Sequence, residues 1–296
     1  MTKKTTLCVK FLIFVSLCLT SCVSGCTTIS LSGASSEEKI PRRAFVQIQQ
    51  TVELEGCGQD KNTGEKKCQK ANMRYVSSGA YVFHSEISQG ISYAVTAGHS
   101  CQNKLPKEQI VDGFKIINKG AKFKAVDLKG YQYDAEVVQI NNRFDLCLMK
   151  VSDVHNNPPV LKLADKEPLR GETVLNMAAP HGLFWSNTVL IFKGQFSGFH
   201  RRGYSVYTIP TKPGSSGSPV INTDGKLVGV IFAGYPMIEN VGLSSPLIAI
   251  KIFLKKAITV GEMSLWEKNN KPAVNTQIDR LWIKEMKTKL NEVFGQ

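Results

Sequence analysis

Three short segments carry a hydroxyl, an imidazole and a carboxylate in settings that suit nucleophilic catalysis. The first is Lys212-Pro213-Gly214-Ser215-Ser216-Gly217-Ser218-Pro219-Val220. A nucleophilic serine needs a sharp turn that exposes its Oγ, with free backbone N–H groups beside it to receive an oxyanion. Gly214 permits the backbone conformation that turns its own N–H inward, and Gly217 leaves room beside Ser216. The N–H groups of Gly214 and Ser216 are therefore the candidate oxyanion donors. In the second segment, Tyr93-Ala94-Val95-Thr96-Ala97-Gly98-His99-Ser100, a strand ends in small residues and delivers an imidazole to a tight turn. A general base must be fixed yet reachable, and histidine titrates in the useful range. His84, His155, His181 and His200 lack such a frame. The third segment is Phe144-Asp145-Leu146-Cys147-Leu148-Met149-Lys150-Val151, in which Asp145 heads an apolar strand. A carboxylate there can hold the histidine tautomer and stabilise imidazolium. Asp134, in a polar stretch, and Asp153, after the strand, are the competing carboxylates.

The elements that position these residues read as strands. Short β-rich runs cut by Gly, Asn, Asp and Pro extend from Ala44 to about Ser245; examples are 44–52, 80–83, 92–96, 135–140 and 146–151. Further runs fall at 172–177, 188–192, 204–209, 219–222 and 227–232. Many short strands with regular turn signals predict an all-β sandwich or barrel. Helical character is expected at 248–257, with a tail from Ile258. Thr276 is a candidate cap for a last helix over 277–294, whose apolar stripe suits docking against the body.

Charge and cysteines bound the setting. The net charge is +13, and +10 without Lys3, Lys4 and Lys10. Such a balance suits attraction to an acidic envelope. No zinc finger or aromatic RNA-binding signature accompanies it, so nucleic acid is not an expected partner. Lys3 and Lys4 precede an apolar run, Leu12 to Leu19, which is short for a membrane span and ends in small polar residues, as an export signal does. Leu19-Thr20-Ser21-Cys22 resembles the bacterial lipobox, which makes Cys22 the expected lipidation site and the membrane a partner through its anchor. Cys26 in Val23-Ser24-Gly25-Cys26 fits the same pattern, and ordinary cleavage after a small residue is the third possibility. The expected organisation is a signal over 1–21, a tether over 22–43, a catalytic body over 44–257 and a helical extension over 258–296. In the body, Cys57, Cys68, Cys101 and Cys147 are the disulfide candidates, with three possible pairings. Cys57 and Cys68 flank a polar loop, Gly58 to Lys67, that looks like a stapled hairpin; Cys101 and Cys147 would pair or remain buried thiols. No CxxC occurs and the histidines are scattered, so neither a metal nor an organic cofactor is expected.

The three motifs, in the order His, Asp, Ser and separated by 46 and 71 residues, resemble those of the trypsin-like (chymotrypsin-fold) serine peptidases. The style is that of the bacterial glutamyl-endopeptidase and HtrA-like branches. The resemblance covers roughly 44–257 and includes Ser78-Gly79-Ala80-Tyr81-Val82-Phe83 before the histidine, Leu227-Val228-Gly229-Val230, and Val241-Gly242-Leu243. It implies two six-stranded antiparallel β-barrels, with the boundary near 155–165, a C-terminal helix and a short helical tail. His99 and Asp145 would lie in the first barrel and Ser216 in the second. It also implies an endopeptidase acting on proteins or peptides. Ser215 stands where pancreatic-type members have an aspartate, which argues against activation by a freed amine. The resemblance makes Thr211, Ile231, Phe232 and Gly234 the substrate-pocket candidates. Ile231 replaces the histidine of glutamate-specific members and Pro210 lies near the aspartate of trypsin-type members, so a small or apolar residue is expected before the scissile bond. The 39 residues after Ala257 are too few for the PDZ domain of HtrA-like proteins. A catalytically silent binding module with this fold, or an envelope-interaction protein using the basic surface, are the alternatives, and labelling of the serine separates them.

Overall fold

The computed structural model describes residues 40–269 except 60–63 and 112–113, together with Thr288. The export segment, Cys22, Cys26, the tether as far as residue 39 and the helix expected over 277–294 lie outside the described residues, Thr288 excepted.

Thirteen strands and one long helix make up the described chain. The first sheet contains β1 (Phe45–Gln59), β2 (Lys66–His84), β3 (Ser92–Ala97), β4 (Glu108–Val111), β5 (Phe114–Asp127), β6 (Gln132–Asn141) and β7 (Leu146–Val151). Its order is β1-β2-β3-β7-β6-β5-β4, and pairing of β1 with β5 closes six of these strands into a barrel with β4 on the outside. The second barrel comprises β8 (Thr173–Ala178), β9 (Leu190–Phe199), β10 (Ser205–Tyr207), β11 (Pro219–Ile221), β12 (Leu227–Gly234) and β13 (Gly242–Pro246). It closes as β10-β13-β12-β11-β8-β9. The protein is thus two antiparallel six-stranded barrels followed by helix α1 (Leu247–Asn269).

Strand alternation explains how one chain builds three cores. Successive side chains on a strand point to opposite faces. On β7, Cys147, Met149 and Val151 fill the first barrel with Ile48, Tyr81 and Ala94, while Leu146 and Leu148 face the other way. There they join Val95, Met177, Ile221, Leu227 and the α1 residues Ile250, Phe253, Leu254 and Ile258. Val174, Tyr207, Val220, Val228 and Ile231 fill the second barrel. Strands buried on both faces are mostly apolar, as 146–151 and 92–97 are; the buried polar residues of β3 are paired, Ser92 with His84 and Thr96 with the Ser78 carbonyl.

Two elements run further than the sequence predicts. The helix does not stop at Ala257; it continues through Asn269, because Ile258 and Leu265 still face the core and Gly261 lets the helix lie against the Tyr93 ring. The segment between Cys57 and Cys68 is also less of a loop than expected. β1 and β2 pair beyond the disulfide as far as Gln59 and Lys66, with Cys57 directly opposite Cys68. The second bridge joins Cys101 to Cys147.

Helix α1 is tied to the first barrel by a buried carboxylate. Glu262 accepts hydrogen bonds from the Tyr93 hydroxyl (2.8 Å) and the Glu86 N–H (3.2 Å). Burial nevertheless raises its pKa above the usual value near 4.5, outweighing these donors. A carboxyl whose folded pKa exceeds its unfolded one stabilises the fold when protonated, and that contribution fades as pH climbs through the folded pKa. The stability of the wild type relative to Glu262→Gln should therefore fall as the pH is raised above the ordinary carboxyl range near 4.5, as read from paired denaturation curves; a pH-independent difference refutes the linkage.

Candidate active site

The histidine and aspartate meet at one end of the first barrel. β3 ends at Ala97, and Gly98–Cys101 forms a single 3-10 turn that carries His99. Asp145 precedes β7 with φ 51°, a left-handed conformation that aspartate tolerates better than most residues. From there its carbonyl accepts the Gly98 N–H (2.8 Å) and its Oδ1 accepts the His99 N–H (2.6 Å). Its Oδ2 lies 2.6 Å from His99 Nδ1. A side chain at Gly98 would lie 2.8 Å from Asp145 Oδ1, so this glycine is needed for the carboxylate to reach. An ionised carboxylate can only accept, which places the ring proton on Nδ1 and leaves the Nε2 lone pair free. Ser216 Oγ, from the second barrel, lies 2.9 Å from that Nε2. The structure thus brings His99, Asp145 and Ser216 together. Asp134 is instead near Lys124 at the surface, and Asp153 lies after β7 in a left-handed turn.

The Cys101–Cys147 bridge locks this corner, joining the end of the His99 turn to the second residue of β7.

The loop before Ser216 is held open by the first barrel. Ser78 of β2 donates its N–H to the Ser216 carbonyl (2.8 Å) and its hydroxyl to the Gly214 carbonyl (2.8 Å). The same hydroxyl accepts the Ala179 N–H (3.0 Å), and the Ser78 carbonyl accepts the Thr96 hydroxyl (2.7 Å). On the far side the Pro213 carbonyl accepts the N–H of His181, itself at φ 52°. With both carbonyls drawn outward, the N–H groups of Gly214 and Ser216 have no acceptor among the described residues. Gly214 at φ 93° and Gly217 at φ 84° require glycine twice over. A Cβ at Gly214 would sit 2.5 Å from the Ala179 carbonyl, and one at Gly217 would run into the Ser78 carbonyl and the Thr96 hydroxyl. Ser215 is buried, and its Oγ accepts the Lys212 N–H (3.3 Å), so it stabilises the turn without a charged partner. Sequence reasoning did not single out Ser78, Ala179 or the His181 backbone for this role. The one available signal was Ser78 itself, a polar residue in a run that becomes buried.

Two cavities bear on the site, and only the first is lined by Ser216. One, of about 500 Å³, is lined by His99, Ser216 and Gly214 together with Gln50, Tyr75 and Val76. The other, of about 410 Å³, is lined by Thr211 and Gly234 with Tyr235, Met237, Ile238 and Glu239. Ile231 is fully buried, and the Phe232 ring packs edge-on against Tyr204 at 5.0 Å. The Thr211 hydroxyl fills the place a side chain at Gly234 would take, and the Thr211 methyl and Ile231 Cδ1 crowd the corresponding place at Gly242. Among the described residues no group of three His, Cys, Asp or Glu side chains could hold a metal ion.

Residues 76–230, more than half of the chain, match the family described as "Trypsin-like peptidase domain". The chain belongs to this family. It is 28% identical over 172 residues to the serine protease Do-like HtrA of Bacillus subtilis (strain 168), a match covering 53% of this chain and 38% of that protein. It is 32% identical over 103 residues to a probable periplasmic serine endoprotease DegP-like of Pseudomonas putida (strain GB-1), covering 33% and 21%. The chain therefore spans well under half the length of these relatives. A crystal structure of the serine endoprotease from Yersinia pestis shares the fold, with TM-score 0.53, 19% identity, and coverage of 76% of this chain and 65% of that one.

Ser78→Ala removes one hydroxyl that serves two buried backbone groups. It should cost about 1–3 kcal/mol of stability and slow labelling of Ser216 by a fluorophosphonate, while Ser77→Ala, one residue away, should label at the wild-type rate. Removing the Cys101–Cys147 bridge frees a 46-residue loop. The double Ala variant should lose about 4 kcal/mol on the chain-entropy account, measured by denaturant unfolding.

Proposed function

We propose that this protein is a serine endopeptidase that hydrolyses peptide bonds through His99, Asp145 and Ser216. The observation that carries the reading is Ser216 Oγ at 2.9 Å from the unprotonated nitrogen of a histidine already held by a carboxylate. Ser216 Oγ attacks the scissile carbonyl as His99 Nε2 takes its proton. The carbonyl oxygen, now negative, is received by the idle N–H groups of Gly214 and Ser216. His99 then gives the proton to the leaving amine, and the acyl-enzyme forms. Water, activated by the same histidine, releases the acid and restores Ser216. Asp145 remains ionised and keeps the ring oriented throughout.

The acyl side of the substrate is assigned to the Thr211–Gly234 side. Thr211 packs where a side chain at Gly234 would lie, and Thr211 and Ile231 where one at Gly242 would lie, which favours a small or apolar residue before the scissile bond. The N-terminal segment supports export and lipid anchoring at Cys22, with residues 22–43 as a tether to a body that begins at Ala44. The names of the relatives, several of them periplasmic, are in keeping with an envelope location.

Ser216→Ala should abolish fluorophosphonate labelling, and Asp145→Asn should lower kcat by about 10⁴-fold while leaving the fold intact. Absence of labelling in a well-folded wild type would sink the peptidase reading and leave a binding module. For the anchor, metabolic incorporation of a fatty acid analogue should disappear in Cys22→Ser; persistence in that variant and loss in Cys26→Ser would move the site to Cys26.

A further inference from the structure

The candidate site uses only the part of β2 from Ser78, which holds the Ser216 loop, through residues 79–84, which meet β3. Yet β2 begins at Lys66, and from there to Ser77 it is paired with β1 on one side and with no strand on the other among the described residues. Its backbone orientation is fixed by its last contact. Ser78 turns both its N–H and its C=O away from β1, toward Ser216 and Thr96. The pairing with β1 has no register shift, so alternation turns the N–H and C=O of Val76, Arg74, Asn72 and Lys70 to the same open edge. An unpaired edge of this length is a template for another strand.

The two faces of this arm differ between Ala71 and Tyr75, while toward its tip Gln69 and Lys67 lie on the same face as Ala71. Ala71, Met73 and Tyr75 share a face with Val52 and Leu54 of β1 and with Phe114 of β5. Met73, Tyr75 and Phe114 are 40%, 43% and 54% exposed, a contiguous apolar surface rather than scattered side chains. On the opposite face Glu53 and Glu55 are engaged by Lys122 and Lys119, and Lys70 and Arg74 have no ion pair of their own among the described residues. The apolar face is continuous with the catalytic cleft. Val52 and Tyr75 line the cavity that holds His99 and Ser216, and Leu54, Ala71 and Phe114 line a second cavity, of about 480 Å³, farther along the same face.

We propose that this arm is an extended subsite that binds the substrate polypeptide downstream of the scissile bond as an added β-strand, selecting chains in which apolar and acidic residues alternate. The inference rests on the peptidase reading. The leaving amine must take its proton from His99, so the downstream chain departs on the His99 side, into the cavity lined by Tyr75 and Val76. Continuing outward, it runs opposite in direction to β2 and pairs antiparallel with the open edge. Residues that fall opposite Tyr75, Met73 and Ala71 then extend the apolar face, and those opposite Arg74 and Lys70 meet positive charge. From Val76 to Lys67 the edge spans about 30 Å, at roughly 3.3 Å per residue.

Two quenched fluorescent peptides test it, with the same library-selected scissile bond. One ends two residues after that bond, and the other continues for eight residues of alternating leucine and glutamate. The longer peptide should have at least tenfold higher kcat/KM, mainly through KM. Lys70→Glu/Arg74→Glu, whose side chains lie outside the catalytic cavity, should cleave the short peptide normally and lose the gain. A peptide with lysine for glutamate should reverse the preference between wild type and variant. Equal kcat/KM for both peptides in a wild type that cleaves the short one overturns the subsite and leaves the peptidase reading standing. If neither is cleaved, fluorescence anisotropy with Ser216→Ala decides: saturable binding of the long peptide alone upholds the arm as a docking edge, and no binding overturns it. A concentration-dependent dimer that the double variant dissolves also overturns it, since a second copy would then occupy the edge.

Discussion

The attachment of the Ser216 loop to Ser78 is the contact on which the meeting of His99, Asp145 and Ser216 depends. The loop belongs to the second barrel and the histidine to the first, so nothing within either barrel fixes their separation. Ser78 does so with one residue, bonding the Ser216 carbonyl through its N–H and the Gly214 carbonyl through its hydroxyl. Both bonds also draw carbonyls away from the cleft, which leaves N–H groups pointing where an oxyanion would form. Buried polar groups of this kind are costly unless paired, and here each partner is paired in turn with Ala179, Thr96 or His181. The glycines follow as a consequence. With Ser78, Thr96 and Ala179 packed against the loop, no Cβ fits at Gly214 or Gly217.

The same logic explains why the barrels cannot be treated as separate folding problems. Leu146 and Leu148 leave the first barrel to pack with Met177 and Ile221 from the second and with Phe253 and Leu254 from α1. The helix thus closes a core shared by both barrels instead of capping one of them. Asp145 sits at the head of β7, so its position is inherited from that shared core on one face and from the Cys101–Cys147 bridge on the other.

What could be read in the sequence was what local chemistry demands. Gly98-His99 and Gly214-Ser215-Ser216-Gly217 are legible because a reachable imidazole and an exposed hydroxyl on a tight turn require small residues at fixed offsets. The doubly buried strands are legible as apolar runs for the same reason. The arm was not legible, since residues 66–76 are exposed on both faces and their Lys, Gln, Asn and Arg content reads as loop. They are strand because β1 pairs with them, a non-local cause that no window of sequence contains. The continuity of the helix past Ala257, into what was expected as a separate helical extension, was hidden for a related reason. Its buried face is spaced around Gly261 and the polar Glu262, so the apolar signal thins where the Tyr93 hydroxyl supplies a hydrogen bond.

Pocket depth and arm length belong to one argument about specificity. On the proposed peptidase reading, a pocket narrowed by Thr211 and Ile231 would distinguish substrates by little more than a methylene or two, which is worth about 1–3 kcal/mol. A peptidase so built would have to discriminate elsewhere or remain indiscriminate. The proposed docking edge of β2 would provide that elsewhere, since main-chain pairing supplies affinity without regard to sequence and the alternating faces supply the choice. Binding far from the reacting bond speeds the reaction only if it helps to position that bond. Here the two are mechanically joined: the strand that would dock the substrate is the strand whose next outward-facing residue, Ser78, holds the nucleophile loop. A polypeptide aligned along Val76 and Arg74 is thereby aligned with Ser216.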